Sequence, residues 1–403
     1  MKTKKMYAIL AGLICLVMLL SACGAPATQA PTTAPATAAP ATAAPATAAP
    51  ATAAPATAAP ATAAPTEASP CLIIGATYGG ATNDSGYNQA MHEAVMAIKT
   101  NIPCVKIIEA ENVYDEAGAT STMQNMINQG AKLIFATAST HQDPAFALAK
   151  TNPNVIFEAG GGWETSANFG NYFGIPQDGW YLMGIAAGKM TKSNKLGFVA
   201  SMPMSWTNVF INAFELGAQS VNPNAQVYVT YTQSWGDSAK EADATNALIN
   251  QSADVITTNV DSPTTVISTA EGRGIFSIGY QDLAAQQFAP QYWISGTGLT
   301  LGGQLTFLTQ EVIDGKWGNV QFARCGIKDG CIAVAPFGPK VPQAVQDLVN
   351  QKKADIVAGT YVIFTGPVVD QAGTVRVPAG QVITSDQLNN DDWFVKGVVG
   401  SPK

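Results

Sequence analysis

From Cys71 onward, short apolar runs alternate with longer amphipathic stretches, and this alternation restricts the fold more than any other feature. "CLIIGATY", "VKIIEAE", "KLIFATA" and "NVIFEAG" have the length of buried strands. Between them Tyr87, Met91, Ala94, Val95 and Ile98 fall at helical spacing, as do Ala119, Met123, Met126 and Ile127, with Gly130 placed to end that second helix. Asp143-Pro144 reads as the cap and start of a third. The pattern then restarts with "KLGFVAS", "AQVYVTY", "ADVITTNV" and "GIFSIGY", and the first helix between them carries Val209, Phe210, Ala213, Phe214 and Gly217. Repeated β-α-β units of this length require a parallel sheet covered on both faces by helices. Two such runs, joined around Asp178 to Lys195, predict an α/β protein of two doubly wound lobes linked by a hinge. The first lobe spans about 71–194 plus part of 295–330, and the second about 195–294 plus part of 331–403. After Gly359, "YVIFTGPVVDQAGTVRVPAG" turns like a hairpin or meander and forms a short β-rich tail.

The chain upstream of Cys71 is of another kind. Lys2, Lys4 and Lys5 precede an apolar run from Met6 to Leu20, too short and wrongly flanked for an ordinary membrane span, so it reads as a removable export signal. The run closes on Leu20-Ser21-Ala22-Cys23, which resembles the lipobox of bacterial lipoproteins and makes Cys23 the lipidated first residue, in preference to an ordinary secretory signal with an incidental cysteine. Acyl chains there would anchor the protein to the outer face of the cell membrane, each buried methylene contributing about 0.8 kcal/mol. Residues 24–70 are almost entirely Ala, Pro and Thr with PATAA repeated. Such a segment has nothing to bury and extends as a polyproline-like tether, roughly 145 Å long at about 3.1 Å per residue.

Charge and cysteines narrow the partners. The formal charge of −7 becomes −10 once Lys2, Lys4 and Lys5 leave with the signal, which argues against nucleic acid. Cys15 also leaves, and Cys23 carries lipid. Cys71, Cys104, Cys325 and Cys331 are then an even set in an oxidising compartment, with three connectivities open. Cys71 and Cys104 each open one of the first two strands, which would be neighbours, so Cys71–Cys104 with Cys325–Cys331 is the favoured pairing. A zinc site is the weaker alternative, since there are only two histidines, His92 and His141, and no C-x-x-C.

In open parallel sheets ligands bind beyond the carboxyl ends of the strands, and two facing lobes enclose a cleft there. "TNDSGYNQA", residues 82–90, follows the first strand and would place Asn83, Asp84, Tyr87 and Asn88 in that cleft. The third strand leads to Ser139, Thr140, His141, Gln142 and Asp143, and the fourth to "GGGWETS" with Trp163. In the second half the ends carry Trp206, Trp235 with Asp237, Asp261, and Tyr280 with Asp282. The three tryptophans sit in strand-to-helix loops instead of on a core period. An aromatic face stacks on a flat ring while a neighbouring carboxylate or amide reads its edge, which suits a purine-like heterocycle. Plainer roles stand beside these. Asp237, Asp143 and Ser262 read as helix caps before ligand contacts, and Asp84 reads equally as either. Trp163 and Trp206 would equally cover the hinge or the lobe interface, and a lone loop histidine such as His141 is more often a surface residue.

With these loops in view, residues 71–403 resemble the basic membrane lipoprotein family of ABC-transporter substrate-binding proteins, which are similar to purine-nucleoside receptors. The resemblance rests on "GGATNDSGYNQA", "WYLMGIAAGKMTKSNKLGFVAS", "NAFELGAQSVNP" and "SWGDSAKEADATNALINQSADVI". It implies a type I periplasmic-binding-protein fold, with stacking by Tyr87 and Trp235 and base-edge contacts from Asn83, Asp84 and His141. Asp261 and Asp282 fall on the opposite wall. One departure bears on the ligand: the family's Gly-Val-Asp-x-Asp-Gln is "GYQDL" here, with Tyr280-Gln281 in place of Val-Asp. The tail "GPVVDQAG…VPAG…WFVKGVVG" is similar to a branch whose members look like nucleobase receptors, which favours a purine base without excluding a nucleoside.

Enzymatic readings find little support. No G-x-S-x-G, Walker loop or H-E-x-x-H occurs, and "GTGLTLG" spaces its glycines wrongly for a dinucleotide. The expected protein is a monomeric lipoprotein that uses no cofactor, captures a small ligand between its lobes and delivers it to a membrane ABC permease. A sugar or amino-acid receptor is the competing reading, because the same fold and aromatics serve both.

Overall fold

The computed structural model describes residues 69–162, 164–318, 321–383 and 392–403. The export signal, the tether, Cys23 and Trp163 lie outside the described residues. The first half of the fold runs β1 (Ile73–Thr77), α1 (Tyr87–Asn101), β2 (Lys106–Ala110), α2 (Glu116–Asn128), β3 (Leu133–Ala136), α3 (Gln142–Thr151), β4 (Ile156–Gly160) and β5 (Phe169–Gly174). The second runs α4 (Gln177–Met190), β6 (Lys195–Ala200), α5 (Ser205–Gln219), β7 (Gln226–Tyr231), α6 (Ser238–Asn250), β8 (Val255–Thr258), α7 (Thr264–Gly272), β9 (Phe276–Gln281) and β10 (Trp293–Leu299). The chain then returns through α8 (Gly302–Ile313) and β11 (Phe322–Cys325), and ends in β12 (Ile332–Val334), α9 (Gln343–Val357) and the hairpin β13 (Val368–Val369) and β14 (Val375–Val377).

Two sheets result. One has the order β11-β5-β4-β3-β1-β2 and is parallel throughout; the other has the order β12-β10-β9-β8-β6-β7 and is parallel except for β12. β1 lies between β2 and β3, and β6 between β7 and β8, so each sheet winds outward both ways from its first strand. Strands such as β3 and β8 are buried at every position, the expected state of a strand with helices on both faces. Helix starts follow local chemistry. Asp115 caps α2 by accepting from Gly118 N, and Asp237 caps α6 by accepting from Lys240 N.

Three strand runs read less clearly in the sequence. β5 ("FGNYFG") is broken by glycines, and β11 and β12 have four and three residues, too short for a periodic signal.

The chain passes between the sheets three times, at residues 175–176, 300–301 and 326–331. The first passage precedes the 178–195 segment expected to join the lobes, because α4 packs with the second sheet. α4 is apolar on nearly all sides, which only a buried helix tolerates. Trp180 packs 4.7 Å from Tyr280 and 5.0 Å from Phe198, between ring centroids. α4 crosses α5 at Gly184 and Gly217, where an added Cβ would collide with the carbonyls of Phe214 and Tyr181 respectively. Asp143 does not cap α3: the helix begins at Gln142, and Asp143 lies in its first turn.

Two disulfides stand at structurally different places. Cys71–Cys104 ties the starts of β1 and β2. Cys325–Cys331 brackets the third passage, and its two cysteines also hold the other two: Cys325 O accepts from Ile175 N at 2.8 Å, and Cys331 O from Thr300 N at 2.9 Å. The C-terminus returns to the second sheet. Val399 runs beside β7, and buried Asn212 of α5 holds Trp393 O at 3.1 Å and Val395 N at 2.9 Å.

Candidate functional site

A cavity of about 580 Å³ opens at the carboxyl ends of both sheets. Its first wall begins where β1 hands over to α1. Asp84 organises that turn: one carboxylate oxygen accepts from Gly86 N and Gln89 N at 2.8 and 3.0 Å, the other from Asn88 N and Nδ2 at 3.2 and 2.8 Å. Its carboxylate is thereby committed to the helix start. Ser85 takes a positive φ of 54° in this turn. Gly86 meets the second lobe directly, since a Cβ there would collide with the carbonyl of Asp261. Tyr87 N donates to that same carbonyl at 2.8 Å, and Ser262 Oγ donates to Asp84 O at 2.6 Å. The polar cluster "TNDSGYNQA" thus serves the helix cap and the seam between lobes, and turns Tyr87 to the cavity. The Tyr87 hydroxyl donates to Thr137 O at 2.7 Å, which fixes the ring.

The second wall is aromatic. Trp206 and Trp235 stack with centroids 5.3 Å apart and planes 2° from parallel, and Phe210 meets Trp206 edge-on at 5.3 Å. Tyr280, Gln281 and Asp261 complete this side. Asp261 carries the only cavity carboxylate that accepts no side-chain hydrogen bond from a described residue. Burial, with Asp84 and Glu241 nearby, pushes its pKa up to about 7. Gln281 takes a positive φ of 75°, an unfavourable state for its residue type that the end of β9 maintains at the cavity wall.

Of the residues singled out from the sequence, Asp84, Tyr87, Asn88, Trp206, Trp235, Asp261 and Tyr280 line the cavity together. Three others do not. His141 is fully buried behind the wall, with Nδ1 3.0 Å from Thr77 Oγ1 and Nε2 donating to Val113 O at 2.8 Å. Its burial lowers the pKa and keeps the ring neutral, so its work is to join β1, the β2–α2 loop and β3. Asn83 is exposed outside the cavity lining. Asp282 is buried and turns one oxygen to Ala284 N at 2.8 Å, closing the turn after β9.

Phe173, Gln177, Phe210 and Arg324 line the cavity without having been marked as site residues. Phe210 is indistinguishable in sequence from its core neighbours on α5. Phe173 and Arg324 lie on β5 and β11, the strands without a clear period, and the only local signal is their place just before Gly174 and Cys325. Among the described residues no group of three His, Cys, Asp or Glu side chains could hold a metal. Nor is any helix among them long and apolar enough to cross a membrane.

Two doubly wound sheets joined by three passages, with an aromatic cavity at their carboxyl ends, define the class of bilobal solute-binding proteins with a type I periplasmic-binding fold. The fold is shared with an ABC transporter solute-binding protein from Conexibacter woesei, at a TM-score of 0.61 and 20% identity, covering 72% of this chain and 98% of that one. Residues 72–370 match the family of PnrA-like ABC transporter substrate-binding proteins, Bmp, and the chain belongs to it. Similar proteins include a purine-binding protein of Brucella abortus, 35% identical over 331 residues that cover 81% of this chain and 93% of that protein. Another is a putative ABC transporter glucose-binding protein of Haloferax volcanii, 31% identical over 294 residues, covering 70% and 71%. The family's role is substrate binding for ABC transporters.

Proposed function

We propose that the protein captures a purine base or nucleoside in the cavity and delivers it to an ABC permease, working as a monomer held to the outer face of the cell membrane by lipid on Cys23. The observation that carries this reading is the aromatic wall. Trp206 and Trp235 lie parallel in the second lobe while Tyr87 faces the same cavity from the first, an arrangement suited to a flat ring. The volume lies within the range of small-molecule sites. The relative named for purine binding adds support. Tyr87 and Trp235 are assigned the stacking, with Asp261 receiving a ring or exocyclic N–H.

A sugar reading has its own support in the relative named for glucose binding, since aromatic faces also pack on sugar rings. One experiment separates the two. Protein purified from its native host is denatured, and the released small molecules are examined for absorbance in the purine band and by mass spectrometry. Tryptophan fluorescence is then titrated with purine bases, nucleosides and glucose. A released purine and saturable quenching by purines support the proposal. Glucose binding with no response to any purine overturns it.

A further inference from the structure

Among the described residues that line the cavity, Arg324 is the one cation. It stands beside Phe173 in the parallel register of β11 and β5. Its guanidinium lies 3.9 Å over the Phe322 ring, and Nη2 donates to Gly162 O at 3.1 Å. These contacts fix the group on the first lobe's wall. A guanidinium has five N–H donors and no acceptor, so the ligand edge that meets it has to present lone pairs. Asp261 offers the complementary partner from the second lobe, because its side-chain oxygens accept no hydrogen bond from a described residue and can take one from a ligand N–H. Asp84, the other cavity acid, already receives four N–H bonds and makes no such demand.

We propose that the ligand is an oxopurine, with a carbonyl oxygen flanked by a ring N–H and by N7, and that Arg324 selects it over an aminopurine. This deepens the purine reading above and rests on it. The carbonyl oxygen and N7 form a two-acceptor edge that fits the arginine fork, the commonest specific pairing between this side chain and a base. The adjacent ring N–H is a donor of the kind Asp261 requires. An exocyclic amine in place of the carbonyl sets donor against donor in the cavity and leaves the amine unpaired at that edge.

The test uses the intact protein and calorimetric titration with hypoxanthine and adenine, which differ at this edge, together with inosine and adenosine. Hypoxanthine is expected to bind about tenfold or more tightly than adenine, with inosine over adenosine in the same sense. In Arg324→Met the ratio falls toward one while circular dichroism and melting are unchanged. Arg324→Lys, which keeps the charge and loses the fork, retains only part of the preference. Adenine binding as tightly as hypoxanthine to the wild type overturns the oxopurine assignment and leaves the purine reading standing. A preference that survives in Arg324→Met overturns the role of Arg324. Failure of all four compounds overturns the purine reading, and this inference with it.

Discussion

Trp235 is half-buried at the cavity rim and rests on Trp206 instead of plugging the core, so its removal tests binding more than folding. Trp235→Ala is expected to weaken ligand binding by about tenfold or more, as for a buried aromatic anchor, with the thermal transition little changed. Unaltered affinity removes Trp235 from the site. Glu158 on β4 tests a different property. It is fully buried, and its Oε1 accepts from Trp317 Nε1 at 2.7 Å. Burial raises its pKa from 4.5 to about 8, against the lowering effect of the Trp317 bond. A carboxyl whose folded pKa is raised holds its proton in the folded state. Its contribution is therefore complete below about pH 4.5 and is lost as pH rises toward 8. Glu158→Gln, which mimics the protonated form, should match the wild type in urea midpoint near the lower limit. Above the upper limit it should be the more stable, by up to about 5 kcal/mol. Parallel midpoints at every pH would show that Glu158 titrates normally.

At the scale of elements, the third passage is the place where a small change should reach the ligand. Replacing both Cys325 and Cys331 with serine removes a link of sequence separation 6, worth about 2 kcal/mol in the chain-entropy view. Their carbonyls also hold Ile175 and Thr300 in the other two passages, so this pair should lower both the melting temperature and ligand affinity. Cys71→Ser with Cys104→Ser, confined to the edge of one sheet, should lower the melting temperature alone. Equal losses of affinity in both double variants would count against a hinge role. The same elements show what the sequence made legible. "KLIFATA" and "ADVITTNV" announce buried parallel strands because their central positions, Leu133–Ala136 and Val255–Thr258, are apolar or small, and the alternation with helices then leaves little choice of architecture. α4 misled the lobe boundary because its apolar residues cover the whole circumference, and composition does not say which sheet buries them. His141 shows the limit for the site. A histidine beside polar neighbours at a strand end looks like a ligand, and only the long-range partners Thr77 and Val113 turn it inward. Arg324 is hidden for the converse reason, a cavity-lining residue on a four-residue strand.

At the scale of the molecule, the lobes meet through backbone as well as side chains. Tyr87 N to Asp261 O and Ser262 Oγ to Asp84 O are bonds between the two lobes. Ligand contacts made by both lobes at once add to these bonds and shift the population toward closure. Capture near the membrane further requires the anchor proposed at Cys23. Cys23→Ala should move the protein from the membrane fraction to the soluble one, and retention in the membrane would count against lipidation. The three passages have a final consequence. The first sheet takes its sixth strand, β11, from chain that has already visited the second, and β12 is added to the second only afterwards. No single cut in the polypeptide yields two self-sufficient halves: a fragment ending near residue 175 lacks an edge of its own sheet, and one ending near 300 lacks an edge of both. Any attempt to move one half onto a different partner must therefore graft two separate stretches of chain at once.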